Sequence, residues 1–182
     1  MLRSLLLGCV MWTGAVLAAP AGPAFAVVPS SIQPPAGVPL GSFRRSYQPF
    51  ENWTLICDEN LAAGRRICNI RQEIGIVGAG TIFSWAMVAT DSGEERMLIT
   101  APAAIGKGGA IELTFNDGQG YIARVACDEA ACTATVPVGP RMRRHIAEEL
   151  NVGIRFSAPP VGTVEFKAPM NGLKDALRVV GK

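Results

Sequence analysis

His145 is the only histidine in this 182-residue sequence. No mechanism or metal site that needs two imidazoles is therefore open to it. A Ser–His–acid triad would have to use His145, which falls within a predicted surface helix, and no Gly-x-Ser-x-Gly elbow accompanies it. Zinc requires four convergent ligands, usually with a Cys-x2–4-Cys knuckle. Only Cys127-x4-Cys132 has such a spacing, and ten residues separate Cys57 from Cys68. A dithiol redox centre would show Cys-x-x-Cys at a helix start, and that motif is absent. The glycines of Gly75-Ile76-Val77-Gly78-Ala79-Gly80 are in the wrong order for a dinucleotide loop. Gly106-Lys107-Gly108 lacks the Ser or Thr of a phosphate loop. Both runs read as strand connections. Asn116-Asp117-Gly118 offers oxygens to calcium, but a hairpin turn explains it without a metal. No metal and no cofactor is expected.

Two sets of charged residues remain. A glycosidase needs two carboxylates facing one cleft, and the notable acids are Asp58, Glu59, Glu94, Glu95 and Glu112. Most of them fall at turns or on the wet faces of strands, so no catalytic residue is assigned and the chain is read as a non-enzyme. The one clear basic cluster is Arg141, Arg143, Arg144 and His145. It stands at a helix start, where cations oppose the helix dipole. It is therefore the candidate binding surface, suited to an anionic envelope component such as lipid phosphate or to an acidic partner. The plainer reading is a solvated face, partly neutralised by Glu148 and Glu149. Asn52-Trp53-Thr54 fits a glycosylation acceptor only in a host that glycosylates.

The elements that would hold these residues are mostly strands. Trp53, Leu55 and Cys57 alternate with polar neighbours, as do Cys68, Ile70, Gln72 and Ile74, and then Phe83, Trp85, Met87 and Ala89. Arg96–Ile99, Ile111–Phe115, Tyr121–Cys127, Cys132–Val138, Val152–Ser157 and Thr163–Ala168 follow. A period of two places one side of each strand against a core and the other in water. Turn chemistry at Asp91-Ser92-Gly93 and Asn116-Asp117-Gly118 separates them. About nine short strands without βαβ alternation predict an all-β, antiparallel β-sandwich. Two short helices interrupt it. One opens at Pro140, carries Met142, Ile146 and Leu150 on one face, and closes at Asn151 or Gly153. The other begins near Asn171 as its cap, with Leu173, Ala176, Leu177 and Val180 as its stripe.

Residues 1–26 read as a signal peptide: Arg3, an apolar run over Leu5–Ala18, and a cleavage site at Ala24-Phe25-Ala26. That apolar run is too short to span a bilayer, and no transmembrane segment is expected in the mature chain. Residues 27–50 carry five prolines and read as a flexible leader, and residues 51–182 as a single domain. Cleavage removes Cys9 and leaves Cys57, Cys68, Cys127 and Cys132, an even number in an exported chain. Four cysteines allow three pairings. The local pairs Cys57–Cys68 and Cys127–Cys132 are preferred, because each flanks a predicted strand connection. Hydrophobic residues make up 49% of the sequence and charged residues 18%, which fits a folded core. The formal charge of +2 gives no electrostatic case for nucleic acid.

Several blocks together resemble the invasion-associated locus B family of exported bacterial proteins. They are Asn52-Trp53-Thr54-Leu55-Ile56-Cys57, Arg66-Ile67-Cys68-Asn69-Ile70-Arg71-Gln72, Leu98-Ile99-Thr100-Ala101-Pro102, Ile111–Gly118, Cys127–Cys132 and Gly172-Leu173-Lys174-Asp175-Ala176-Leu177. Leu173 stands where the family usually has an aromatic, and no glycine directly follows Pro102. The resemblance implies an immunoglobulin-like sandwich in the envelope of a Gram-negative cell. The periplasm is the expected compartment, with the outer membrane or the exterior as further destinations. It brings no established catalytic residue. The leading functional reading is a non-enzymatic envelope module that binds another protein, of the envelope or of a host surface, or an envelope component. An envelope hydrolase with an unrecognised carboxylate pair, or a periplasmic chaperone or assembly factor, are the alternatives.

Overall fold

Trp53, Leu55 and Cys57 are buried and the residues between them are not. The same alternation organises most of the chain into strands. A computed structural model describes residues 36–78, 80–89 and 94–181, which belong to one unit, Pro34–Lys182. The signal-peptide reading, the first part of the leader and the Asp91-Ser92-Gly93 turn lie outside the described residues. Eleven strands are described: β1 (Phe43–Phe50), β2 (Trp53–Asn60), β3 (Arg65–Ile76), β4 (Gly80–Ala89), β5 (Glu95–Pro102), β6 (Ala110–Thr114), β7 (Gly120–Arg124), β8 (Ala126–Cys127), β9 (Ala131–Pro137), β10 (Val152–Ala158) and β11 (Gly162–Ala168). Helix α1 spans Pro140–Ala147 and helix α2 spans Leu173–Val179.

Every pairing is antiparallel, and the strands form two sheets. The larger has the order β1-β2-β3-β4-β5-β9-β8, and the smaller has the order β11-β10-β6-β7. The core consists of the apolar residues that alternation turns inward, among them Trp85, Met97, Ile99, Ile111, Leu113 and Ile154. An aromatic edge joins the two sheets, Phe83 of β4 meeting Phe166 of β11 edge-on at 5.3 Å, and within the small sheet Phe166 meets Phe156 of β10 at 6.4 Å. Such pairs each add about 0.5–1.5 kcal/mol beyond their area. On one flank the chain passes directly from β7 of the small sheet to β8 of the large one through Val125. The predicted strand Tyr121–Cys127 is therefore two strands in different sheets. At the other end of the large sheet, α2 packs on β1, β2 and β3 with Leu173 and Ala176 buried.

The leader expected over residues 27–50 ends earlier. Phe43–Phe50 is a strand, paired with β2 from Phe43↔Asn60 to Phe50↔Trp53. It escaped the alternation test because nearly all of it is wet on both faces. Pro49 is tolerated because β1 is an edge strand, where a missing N–H can face solvent. Ion pairs tie it down: Arg44 to Glu59, and Arg45 to both oxygens of Asp58 at 2.6 and 2.7 Å. The Arg45 guanidinium holds the Asp58 carboxyl below its ordinary range, against a smaller opposing effect of burial. A carboxylate depressed in the folded state stabilises above its unfolded pKa of about 3.9. That contribution is lost as pH falls through the folded value. Asp58→Asn should therefore cost about 1 kcal/mol at neutral pH. The gap from wild type should close in acid, as urea midpoints measured from pH 7 to pH 2.5 would reveal.

Both helices end differently from their sequence signals. α1 stops at Ala147, and neither Asn151 nor Gly153 closes it. Glu149 takes the left-handed conformation (φ 55°) instead. The Leu150 N–H then bonds the His145 carbonyl at 2.9 Å and the Glu149 N–H reaches the Ile146 carbonyl at 3.4 Å, a Schellman closure. A left-handed non-glycine residue costs about 1 kcal/mol or more, so Glu149→Gly should raise stability by about that much in a urea titration. For α2 the cap is Gly172 (φ 89°), with no side-chain bond from Asn171.

Candidate functional site

The basic cluster does not form one surface. Met142, His145 and Ile146 are the buried residues of α1. His145 is only 3% exposed, so it does not belong to a binding surface. Its Nε2 accepts the backbone N–H of Asn116 at 3.2 Å, and its Nδ1 lies 3.0 Å from the Arg141 carbonyl. The tautomer with its proton on Nδ1 satisfies both contacts. The ring also packs edge-on against Phe115 at 4.9 Å. Arg141 pairs with Asp117 at 2.9 Å, and Arg143 with Glu95 at 2.9 Å. Two of the three arginines and the histidine thus fasten α1 to the β6–β7 turn and to the start of β5. Arg144 is left exposed on the surface. The spacing of Met142, His145 and Ile146 at i, i+3 and i+4 was the sequence signal for this burial. The polar character of histidine masked it.

Among the described residues the four cysteines form two disulfides, Cys57–Cys68 and Cys127–Cys132. Each joins residues directly opposite in register, across β2–β3 and β8–β9 respectively. Their sulfurs are therefore not available as thiolate ligands. Asn116-Asp117-Gly118 is a turn in which the Asp117 side chain accepts the Gln119 N–H at 3.0 Å. Gly118 takes φ 74° there. The Gly75–Gly80 run turns β3 into β4. A Cβ on Gly75 would meet the Gly80 carbonyl at 2.7 Å. Of the acids singled out, Asp58, Glu59, Glu94 and Glu95 are each ion-paired on other parts of the surface.

The residues of the Trp-x-x-x-Cys and Cys-x-x-x-Gln blocks meet inside the core. Gln72 is 3% exposed and sits between two tryptophans. Its Oε1 accepts from Trp85 Nε1 at 2.8 Å, and its Nε2 donates to the Pro169 carbonyl at 2.9 Å. Trp53 Nε1 donates to the same carbonyl at 3.2 Å, and the two indoles stack at 5.7 Å. A buried amide flanked by polar-edged aromatics costs stability unless each polar atom is paired, and here each one is. The hub couples β2, β3 and β4 to the segment just beyond β11. It is closed to solvent, so its role is architectural.

Glu112 opens onto a broad concave surface. The outer face of the small sheet carries two lateral rows of side chains. One is Glu112–Arg155–Glu165 and the next is Thr114–Gly153–Lys167, set by the registers of β6, β10 and β11. Glycine in the middle of the second row leaves a notch. The notch is narrow: a Cβ there would stand 3.3 Å from the Thr114 side chain and 3.5 Å from its carbonyl oxygen. Asn116, Glu149, Asn151 and Asn171, from the turn and linkers at the end of the sheet, wall the notch into an open cleft of about 930 Å³. Glu112 and Glu165 are exposed and Glu149 is half-buried. The Glu165 carboxylate stands 4.0 Å from the Arg155 guanidinium. None of the three sits in the apolar, water-excluded surroundings that a glycosidase gives its general acid. Sequence reading found Glu112 alone, because cross-strand neighbours become visible only with the register.

Fold and surface together define an open two-sheet antiparallel sandwich, clasped by two cross-strand disulfides and carrying a polar cleft on its smaller sheet. The family model for the invasion associated locus B (IalB) protein matches residues 53–181, and the chain belongs to that family. Among solved structures, it is similar to invasion associated protein B from Bartonella henselae. The TM-score is 0.58 at 13% identity, covering 74% of this chain and 95% of that one. At that identity the likeness carries the fold. No curated protein matches the chain. No helix among the described residues is long and apolar enough to cross a membrane.

Proposed function

We propose that this protein is an exported, non-enzymatic component of the cell envelope that works as a binding module. Its contact surface is the outer face of the small sheet. The observation that carries the reading is the cleft over Gly153: a large concave surface lined by polar groups that remain solvated. Clefts of several hundred cubic ångströms with convergent polar groups are the usual form of a binding site. Two disulfides fit an oxidising compartment outside the cytoplasm. The basic helix contributes less than its composition suggested, because Arg141 and Arg143 spend their charge on Asp117 and Glu95.

In-cell crosslinking tests this reading. A photoreactive side chain at Asn151, inside the cleft, should capture an envelope component reproducibly. The same group at Ile67, exposed on the large sheet, should not. Equal capture from both positions, or none from Asn151, would overturn the assignment of the cleft.

A further inference from the structure

We propose that the cleft on the small sheet binds a saccharide. This rests on the reading of the chain as an envelope binding module and names the ligand class. Three features of the cleft point to a polyhydroxyl ligand. The first is its charge pattern. Glu112, Glu149 and Glu165 are interspersed with Arg155 and Lys167, so no single sign prevails. A phosphate or polyanion would need a basic pocket and a polyamine an acidic one, and neither is built here.

The second is its mixture of donors and acceptors. A sugar hydroxyl both gives and takes a hydrogen bond. Side-chain amides and hydroxyls offer both functions, while carboxylates and ammonium groups offer one each. Asn116, Asn151 and Asn171 supply three amides and Thr114 a hydroxyl around the notch, with Lys167 beside them. Among the described residues, the side chains of Asn116, Asn151, Asn171 and Lys167 make no hydrogen bond to another part of the chain. All four line the cleft.

The third is the shape of the floor. The missing side chain at Gly153 brings backbone to the floor in the middle of a sheet whose neighbouring positions carry long side chains. A ring lying across Gly153 would be flanked by Thr114 and Lys167.

The test is co-sedimentation of the full mature chain with purified peptidoglycan sacculi, with a parallel arm on beads coated with lipopolysaccharide. The variants are the double substitution Asn151→Ala/Lys167→Ala, which removes two solvated cleft groups, and Arg144→Ala as a control on the basic helix. Urea midpoints of all variants verify that the fold is kept. The expected result is binding in one arm, competed by soluble N-acetylglucosamine trisaccharide or by free polysaccharide. The double variant should weaken it at least tenfold and Arg144→Ala should leave it unchanged. Binding in neither arm, or binding that the double variant leaves intact, overturns the saccharide assignment. If a photoreactive group at Asn151 then still captures an envelope protein, the saccharide assignment fails while the binding-module reading stands. If it captures nothing, both fail together.

Discussion

Gln72→Leu should destabilise the domain by about 3 kcal/mol, a large share of the stability of a domain this size. The substitution keeps the volume but leaves the Trp85 Nε1–H without an acceptor in a core from which water is excluded. It also strips one of two donors from the Pro169 carbonyl. An unpaired buried donor costs about 1–3 kcal/mol, and the lost bond to Pro169 adds to that. Gln72→Glu makes the origin of the effect visible. At neutral pH it sets an acceptor against the Pro169 carbonyl and buries a charge, so it should be worse than leucine. When protonated, the carboxylic acid can again donate to Pro169 and accept from Trp85. A buried carboxyl with a raised folded-state pKa is destabilising above its unfolded value, about 4.3, and regains stability as pH falls. The deficit of Gln72→Glu relative to wild type should therefore shrink between pH 7 and pH 4, whereas that of Gln72→Leu should not. Urea unfolding followed by tryptophan fluorescence reads both. A deficit for Gln72→Glu that is flat with pH would mean that packing, not hydrogen bonding, sets the cost.

Gly172→Ala should cost at least as much, about 3 kcal/mol or more, for a different reason. Its φ of 89° lies where a Cβ is disfavoured by about 1–2 kcal/mol. A Cβ there would also collide with the Phe50 carbonyl oxygen, so the backbone of α2 would have to lift off the end of β1. Gly118→Ala is the matched control. Its φ is 74°, but no atom lies within 4 Å of the added Cβ. It should lose only the conformational part, about 1–2 kcal/mol. Equal losses at the two positions would show that the close approach at Phe50 contributes nothing. Hydrogen exchange should localise the Gly172→Ala defect to β1 and α2.

These two residues explain why the family blocks read so clearly in the sequence. Gln72 stands out as a polar residue in the buried phase of β3, between Ile70 and Ile74. Gly172 directly precedes an apolar stripe. The strands that alternate most cleanly, such as β2 and β10, are those with one face fully in the core. β1 was invisible because an edge strand with Arg44, Ser46 and Gln48 on its inner side has no hydrophobic phase. Its identity comes from pairing with β2, and pairing is a tertiary fact. Val125 breaks a strand because the chain changes sheets there, which no local preference records. The cleft was the least legible feature. Gly153 looked like a helix terminator, and only the register of three strands places it between Thr114 and Lys167.

The helix that covers the first three strands comes from the far end of the chain. Trp53 reaches its hydrogen-bond acceptor 116 residues later, and Gln72 reaches the same group 97 residues later. A chain that emerges N-terminus first, from a ribosome or from a translocation pore, can pair β1 to β5 early. It cannot finish their apolar face until Leu173 and Ala176 have come out. Contacts of such long range slow folding and leave intermediates exposed. The domain therefore cannot lock into its final form while Leu173 and Ala176 are still inside a tunnel. A chain held in that unfinished state is one that a narrow pore can still pass.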